Sequence, residues 1–137
     1  MPLTPYLFFD GRCEEAIEFY KRALDAKLHM LMRFKDSPES SQIAPGTENK
    51  VMHAAVSIAG TVLMMSDGRA QNQPKFEGFS LSIDAKDAAD AERIFAALAD
   101  GGQARMPLAE TFFAKRFGML ADRFGVGWMV MAGPKNP

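Results

Sequence analysis

Apolar and polar residues change period along the chain, and the changes mark out its elements. Residues 6–9 are apolar and short enough for a strand. Cys13, Ala16, Ile17, Tyr20 and Leu24 then recur at helical spacing, with Glu14 and Glu15 at the head of the segment and Lys21 and Arg22 at its end, which suits the helix dipole. From residue 28 the period falls to two: Leu28, Met30, Met32 and Phe34 alternate with His29, Leu31, Arg33 and Lys35, which predicts a strand with one face firmly buried and His29 pointing outward. Residues 36–49 hold two prolines and a glycine and predict an exposed loop. Residues 51–58 and 61–66 predict two strands joined by a tight turn at Ala59 and Gly60. That turn sets Ile58 opposite Thr61, Ser57 opposite Val62, Ala55 opposite Met64 and His53 opposite Ser66, so His53 and Met64 share a face.

The second half repeats this plan. A strand over 79–83, a helix over 90–98 stopped by Gly101 and Gly102, and strands near 104–108, 117–121 and 127–131 follow a connector at 67–74. Shifting by 74 residues carries Ala23 and Leu24 onto Ala97 and Leu98, and shifting by 65 carries Met64 onto Met129. The predicted fold class is α+β, two βαβββ modules over about 1–70 and 75–137 within a single domain of 137 residues.

Composition narrows the functional classes. The net charge of -1 arises from 16 basic and 17 acidic residues interleaved along the chain, which leaves no footprint for nucleic acid. No apolar run approaches the roughly 20 residues of a membrane helix, so a soluble, cytoplasmic protein is expected, without membrane or nucleic-acid partners. The lone cysteine, Cys13, excludes an intrachain disulfide and falls on the apolar stripe of the first helix. Loops diagnostic of nucleotide binding, the serine-hydrolase elbow and the zinc-protease helix are absent.

The segments 5–20 (PYLFFDGRCEEAIEFY), 51–54 (VMHA), 66–68 (SDG), 106–112 (MPLAETF) and 122–128 (DRFGVGW) resemble the PhnB-like branch of the vicinal oxygen chelate superfamily. The superfamily includes glyoxalase I, bleomycin-resistance proteins and extradiol dioxygenases. The resemblance implies an open, cleft-containing barrel of paired modules, usually in a homodimer, with a divalent metal on four His or Glu side chains. Carried across, those places fall near Pro5, near Phe79 or Ser80, at Met64 and at Met129. None is a usual ligand for a catalytic divalent ion, so no metal and no other cofactor is expected. Members have also been labelled demethylubiquinone methyltransferases, yet this chain lacks a glycine-rich strand-to-helix loop for a nucleotide-bearing methyl donor.

His53 is the candidate base or ligand-orienting group, and Glu110 in the apolar stretch 106–113 a carboxylate to stand beside it or to pair with Arg116. Tyr6, Phe8, Phe112 and Trp128 line the cleft or fill the core, and Met64 and Met129 stand at the implied ligand places. Three readings stay open: a metal-free small-molecule binder, an enzyme using His53 and Glu110 with or without a divalent metal in a nonstandard site, and an interaction module that uses the fold for dimerisation.

Overall fold

In a computed structural model, which describes residues 2–38 and 43–135, the elements follow the order expected of two βαβββ modules. They are β1 (Tyr6–Phe8), α1 (Cys13–Leu24), β2 (Lys27–Arg33), β3 (Val51–Ile58), β4 (Thr61–Ser66), β5 (Leu81–Ala85), α2 (Ala88–Ala99), β6 (Gln103–Ala109), β7 (Ala114–Ala121) and β8 (Gly127–Pro134). Four positions of the expected loop, 39–42, lie outside the described residues. The chain divides into two compact units between Pro74 and Lys75.

Each unit holds one open, mixed four-stranded sheet, ordered β1-β4-β3-β2 in the first and β5-β8-β7-β6 in the second. In both, the strand before the helix pairs in parallel with the last strand of the module, and the other pairings are antiparallel. The fold class is α+β. Both helices have 12 residues, and their ends lie 75 positions apart, one more than the identities at Ala23 and Ala97 suggest.

The core of the first unit lies between α1 and one face of its sheet. Cys13, Ala16, Ile17, Phe19, Tyr20 and Ala23 of α1 are buried, as are Leu7, Ala54, Val56, Ile58, Leu63 and Met65 of the strands. Each large side chain so buried contributes roughly 1.5–3 kcal/mol. The opposite sheet face carries no helix of this unit.

The hairpin turn has both Ala59 (φ 51°) and Gly60 (φ 84°) in the left-handed region and gives the expected pairs Ile58–Thr61, Ser57–Val62 and Ala55–Met64. Strand β2 departs from expectation. Leu28 is 37% and Met30 39% exposed, because β2 is the sheet's edge and its methionines lie on the helix-free face. Strand β5 starts at Leu81 rather than Phe79, since its partner β8 begins only at Gly127 and Leu81 pairs with Trp128.

Candidate functional site

Strand alternation decides what the helix-free face of the first sheet presents. Across the strands one row reads Tyr6, Met64, Ala55 and Met30, and the next Phe8, Ser66, with His53 and Met32 paired beyond. Tyr6 stays 41% exposed with its ring stacked on Phe8, centroids 4.9 Å apart. Its hydroxyl lies 2.8 Å from His53 Nδ1, and the two rings are 5.6 Å apart. Burial raises the Tyr6 phenol above its ordinary pKa, with a hydrogen bond to Ser66 pulling the other way, so the phenol keeps its proton at neutral pH. The contact then has two forms: Tyr6 O–H donating to Nδ1, which leaves Nε2–H as a donor, or Nδ1–H donating to the phenolic oxygen, which leaves Nε2 as an acceptor. Tyr6, Phe8, His53 and Met64 are thus gathered on one face.

The supporting frame is Asp67, just past β4 and 1% exposed. Its Oδ1 accepts from the backbone N–H of Gly11 (2.9 Å) and Cys13 (2.8 Å), and its Oδ2 from Val51 N–H (2.7 Å). One carboxylate therefore ties the β1–α1 turn and the first turn of α1 to the start of β3, holding β1, β3 and β4 in register. A negative group at a helix N-terminus also meets the positive end of the dipole. Arg12, at the N-cap, makes no side-chain cap itself.

The remaining candidates lie in the second unit. Glu110 is exposed and pairs with Lys135 at 2.9 Å, not with Arg116; this hydrogen bond holds its carboxyl below the ordinary value. Arg116 instead lies 3.5 Å from Glu92. Phe112 is 90% exposed and packs edge-on against Phe113. Trp128 is 3% exposed, on the strand face opposite to Met129, with its indole N–H donating to Asp122 Oδ2 at 2.9 Å. Met129 lies between Ser82 and Met119 on the helix-free face of the second sheet, beside the pair Asp84–Met131. His29 is exposed, and Cys13 is buried with its thiol pKa pushed far up by burial and by the Asp67 carboxylate.

Seven methionines, Met30, Met32, Met64, Met106, Met119, Met129 and Met131, fall on helix-free faces, while Met65 packs beneath α1. At the places where the resemblance implies metal ligands, Met64 N–H donates to the Pro5 carbonyl at 2.9 Å and Tyr6 stands opposite Met64; in the second sheet Ser82 stands opposite Met129. Among the described residues no group of three or more His, Cys, Asp or Glu is placed to hold a metal ion, and no helix is long and apolar enough to cross a membrane.

The model of the family described as 3-demethylubiquinone-9 3-methyltransferase matches residues 2–131. Protein YjdN of Escherichia coli (strain K12) is 37% identical over 145 residues, spanning 100% of this chain and 99% of that protein. Protein PA1353 from Pseudomonas aeruginosa has a TM-score of 0.84 at 40% identity, over 96% of this chain and 97% of its own. The PhnB protein from Bacillus cereus has a TM-score of 0.82 at 29% identity, over 97% and 100%. The fold extends to the glyoxylase/bleomycin resistance protein/dioxygenase domain from Frankia sp. EAN1pec, at 17% identity and a TM-score of 0.66 over 100% of this chain and 95% of that one.

Proposed function

We propose that this chain, which belongs to the PhnB-like family of the vicinal oxygen chelate superfamily, binds a small organic molecule on the helix-free face of its first sheet, without the divalent metal of the superfamily's enzymes. The observation that carries this reading is the Tyr6–His53 hydrogen bond amid Phe8, Met32 and Met64. A polar pair able to donate or accept, set in exposed aromatic and thioether surface, is what orients a ligand whose bulk is apolar.

The donor chemistry supports a metal-free site. Pro5 offers no side-chain donor, Met64 and Met129 offer thioethers, and Tyr6 and Ser82 offer hydroxyls that ionise far above neutral pH. Hard divalent ions that polarise a substrate oxygen require imidazole and carboxylate in these places. Methyl transfer draws no support from the connections either: β1 reaches α1 through Phe9, Asp10, Gly11 and Arg12, with a single glycine, and β5 reaches α2 through Lys86 and Asp87.

A second reading, an enzyme, keeps His53 as its base, and the bond to Tyr6 favours it over a module that serves only for dimerisation, because that bond fixes the imidazole as a general base requires. Its partner is then Tyr6; Glu110 is engaged by Lys135.

Methionine-methyl NMR with a fragment library tests the proposal. Binding fragments should shift the Met32 and Met64 methyls and spare Met65, and His53→Ala or Tyr6→Phe should weaken them several-fold. Fragments that leave Met32 and Met64 unmoved, or that bind both variants as tightly as the wild type, would refute it. Turnover lost entirely in His53→Ala would select the enzyme reading.

A further inference from the structure

Next to this face, the residues after β4 and those after β2 border a half-open pocket of about 380 Å³, lined by Phe34, Ile43, Thr47, Gly68, Arg69 and Gln71 among others. Gly68 joins the cavity to the face. Its backbone, at φ +55°, lies so close to Phe8 that an added Cβ would stand 3.2 Å from the ring. Phe34 opens a short 3-10 turn, Phe34–Asp36, directly after β2, just past the irregularity that follows the Met32–His53 pair.

Arg69 is the charged residue in this lining, and among the described residues it has neither an ion-pair nor a hydrogen-bond partner. Described carboxylates of the flanking segments accept backbone N–H groups instead. Asp67 accepts from Gly11, Cys13 and Val51, Asp10 from the backbone N–H groups of Gln71 and Gln73, and Glu48 from that of Gly46. Arg69 is exposed, and the lining it shares with Phe34 and Ile43 sets a planar fork of donors beside apolar side chains, the complement of an oxyanion on a hydrophobic body.

The second module has a cavity at the equivalent place. It measures about 290 Å³ and is lined by Asp84, Phe113, Met131 and Gly133, the last being 65 positions after Gly68 and also at positive φ. The same shift carries Arg69 onto Pro134, so the second lining has no cation there and the preference resides in Arg69 and not in the fold.

We propose that Arg69 anchors a subsite for a small organic anion, a carboxylate or phosphoryl oxyanion whose apolar body lies along Phe34 and Phe8. This rests on the open face being a ligand surface, and it gives that ligand its charge.

Titrating the full chain with benzoate, phenylphosphonate, benzyl alcohol and benzylamine, followed by backbone-amide and methionine-methyl NMR, tests it. At least one anion should shift the Thr47, Gly68 and Gln71 amides and bind at least about tenfold tighter than the alcohol or the amine. Which anion does so separates carboxylate from phosphoryl recognition. Arg69→Gln should bring that anion to the alcohol's affinity with an unchanged unfolding midpoint, and Arg69→Lys should keep part of the preference. Anions no tighter than benzyl alcohol, or indifferent to Arg69→Gln, overturn the subsite. If the alcohol still shifts Met32 and Met64 in a His53-dependent way, the ligand surface survives that failure; if no probe shifts any of these signals, both fall.

Discussion

At the residue scale, Asp67 and the Tyr6–His53 pair separate stability from binding. Asp67 is buried and accepts three backbone N–H groups, so Asp67→Ala leaves three donors of the β1–α1 turn and β3 without their acceptor. We expect a loss of about 3–5 kcal/mol, read by urea unfolding. Tyr6→Phe deletes the exposed hydrogen bond to His53 and the one to Ser66 and should cost no more than about 2 kcal/mol, while fragment affinity falls. A loss on unfolding as large as that of Asp67→Ala would make Tyr6 a framework residue. His53 was placed on its face by the Ala59–Gly60 turn alone, since a two-residue hairpin sets the register. Tyr6 as its partner was not legible, because the parallel pairing of β1 with β4 depends on no local turn. The same holds for Asp67, whose partners Gly11 and Cys13 lie 56 and 54 positions away. Glu110 illustrates the ambiguity of charge pairing by sequence: Arg116 is nearer in the chain, yet Lys135 makes the bond.

At the element scale, the two helices are secured by different means. Helix α2 has a local cap, Asp87 Oδ1 accepting from Asp90 N–H at 2.8 Å. Helix α1 is capped by Asp67 and braced by Arg33, whose guanidinium grips both oxygens of Glu14 at 2.8 and 3.0 Å and also donates to the Asn49 carbonyl. The Arg33 hydrogen bonds hold the Glu14 carboxyl below the ordinary glutamate value. A depressed folded-state pKa stabilises fully above the unfolded-state value, and the contribution disappears as pH falls through the folded-state one. The urea midpoint of Glu14→Gln should therefore lie below wild type at neutral pH and converge with it in acid. The gap should be small, about 0.5 kcal/mol, because the pair is partly exposed; a gap that widens on acidification contradicts the assignment. Gly118, in β7, is a packing glycine: an added Cβ would stand 2.8 Å from Phe95 of α2 and 2.9 Å from the Leu108 Cα. Gly118→Ala should cost about 1–3 kcal/mol on unfolding. Its place under α2 was not evident from a strand reading that began only at residue 117.

At the scale of the whole molecule, the duplicated plan was legible because periods of 2 and 3.6 are properties of the chain itself. The two sheets have the same strand order, and Tyr6 meets Met64 as Ser82 meets Met129. Which face is buried was legible for β3 and β4 from their turn. At β2 the strict alternation was legible but not the side it buries, since Met30 and Met32 lie on the helix-free face of an edge strand, and at Trp128, read as cleft or core, the bond to Asp122 is what holds the ring in the core. The Arg69 cavity lies in what reads by sequence as a connector, since a single cation after a glycine carries no periodic signal. Duplication with divergence leaves the superfamily's framework in place, while two of the four places implied for its metal ligands hold methionine and stand opposite Tyr6 and Ser82. Elemental mass spectrometry of protein purified without chelator or affinity tag, in wild type and His53→Ala, tests this most directly. The account predicts negligible metal in both; near-stoichiometric zinc, nickel, manganese or iron that disappears in His53→Ala would contradict it.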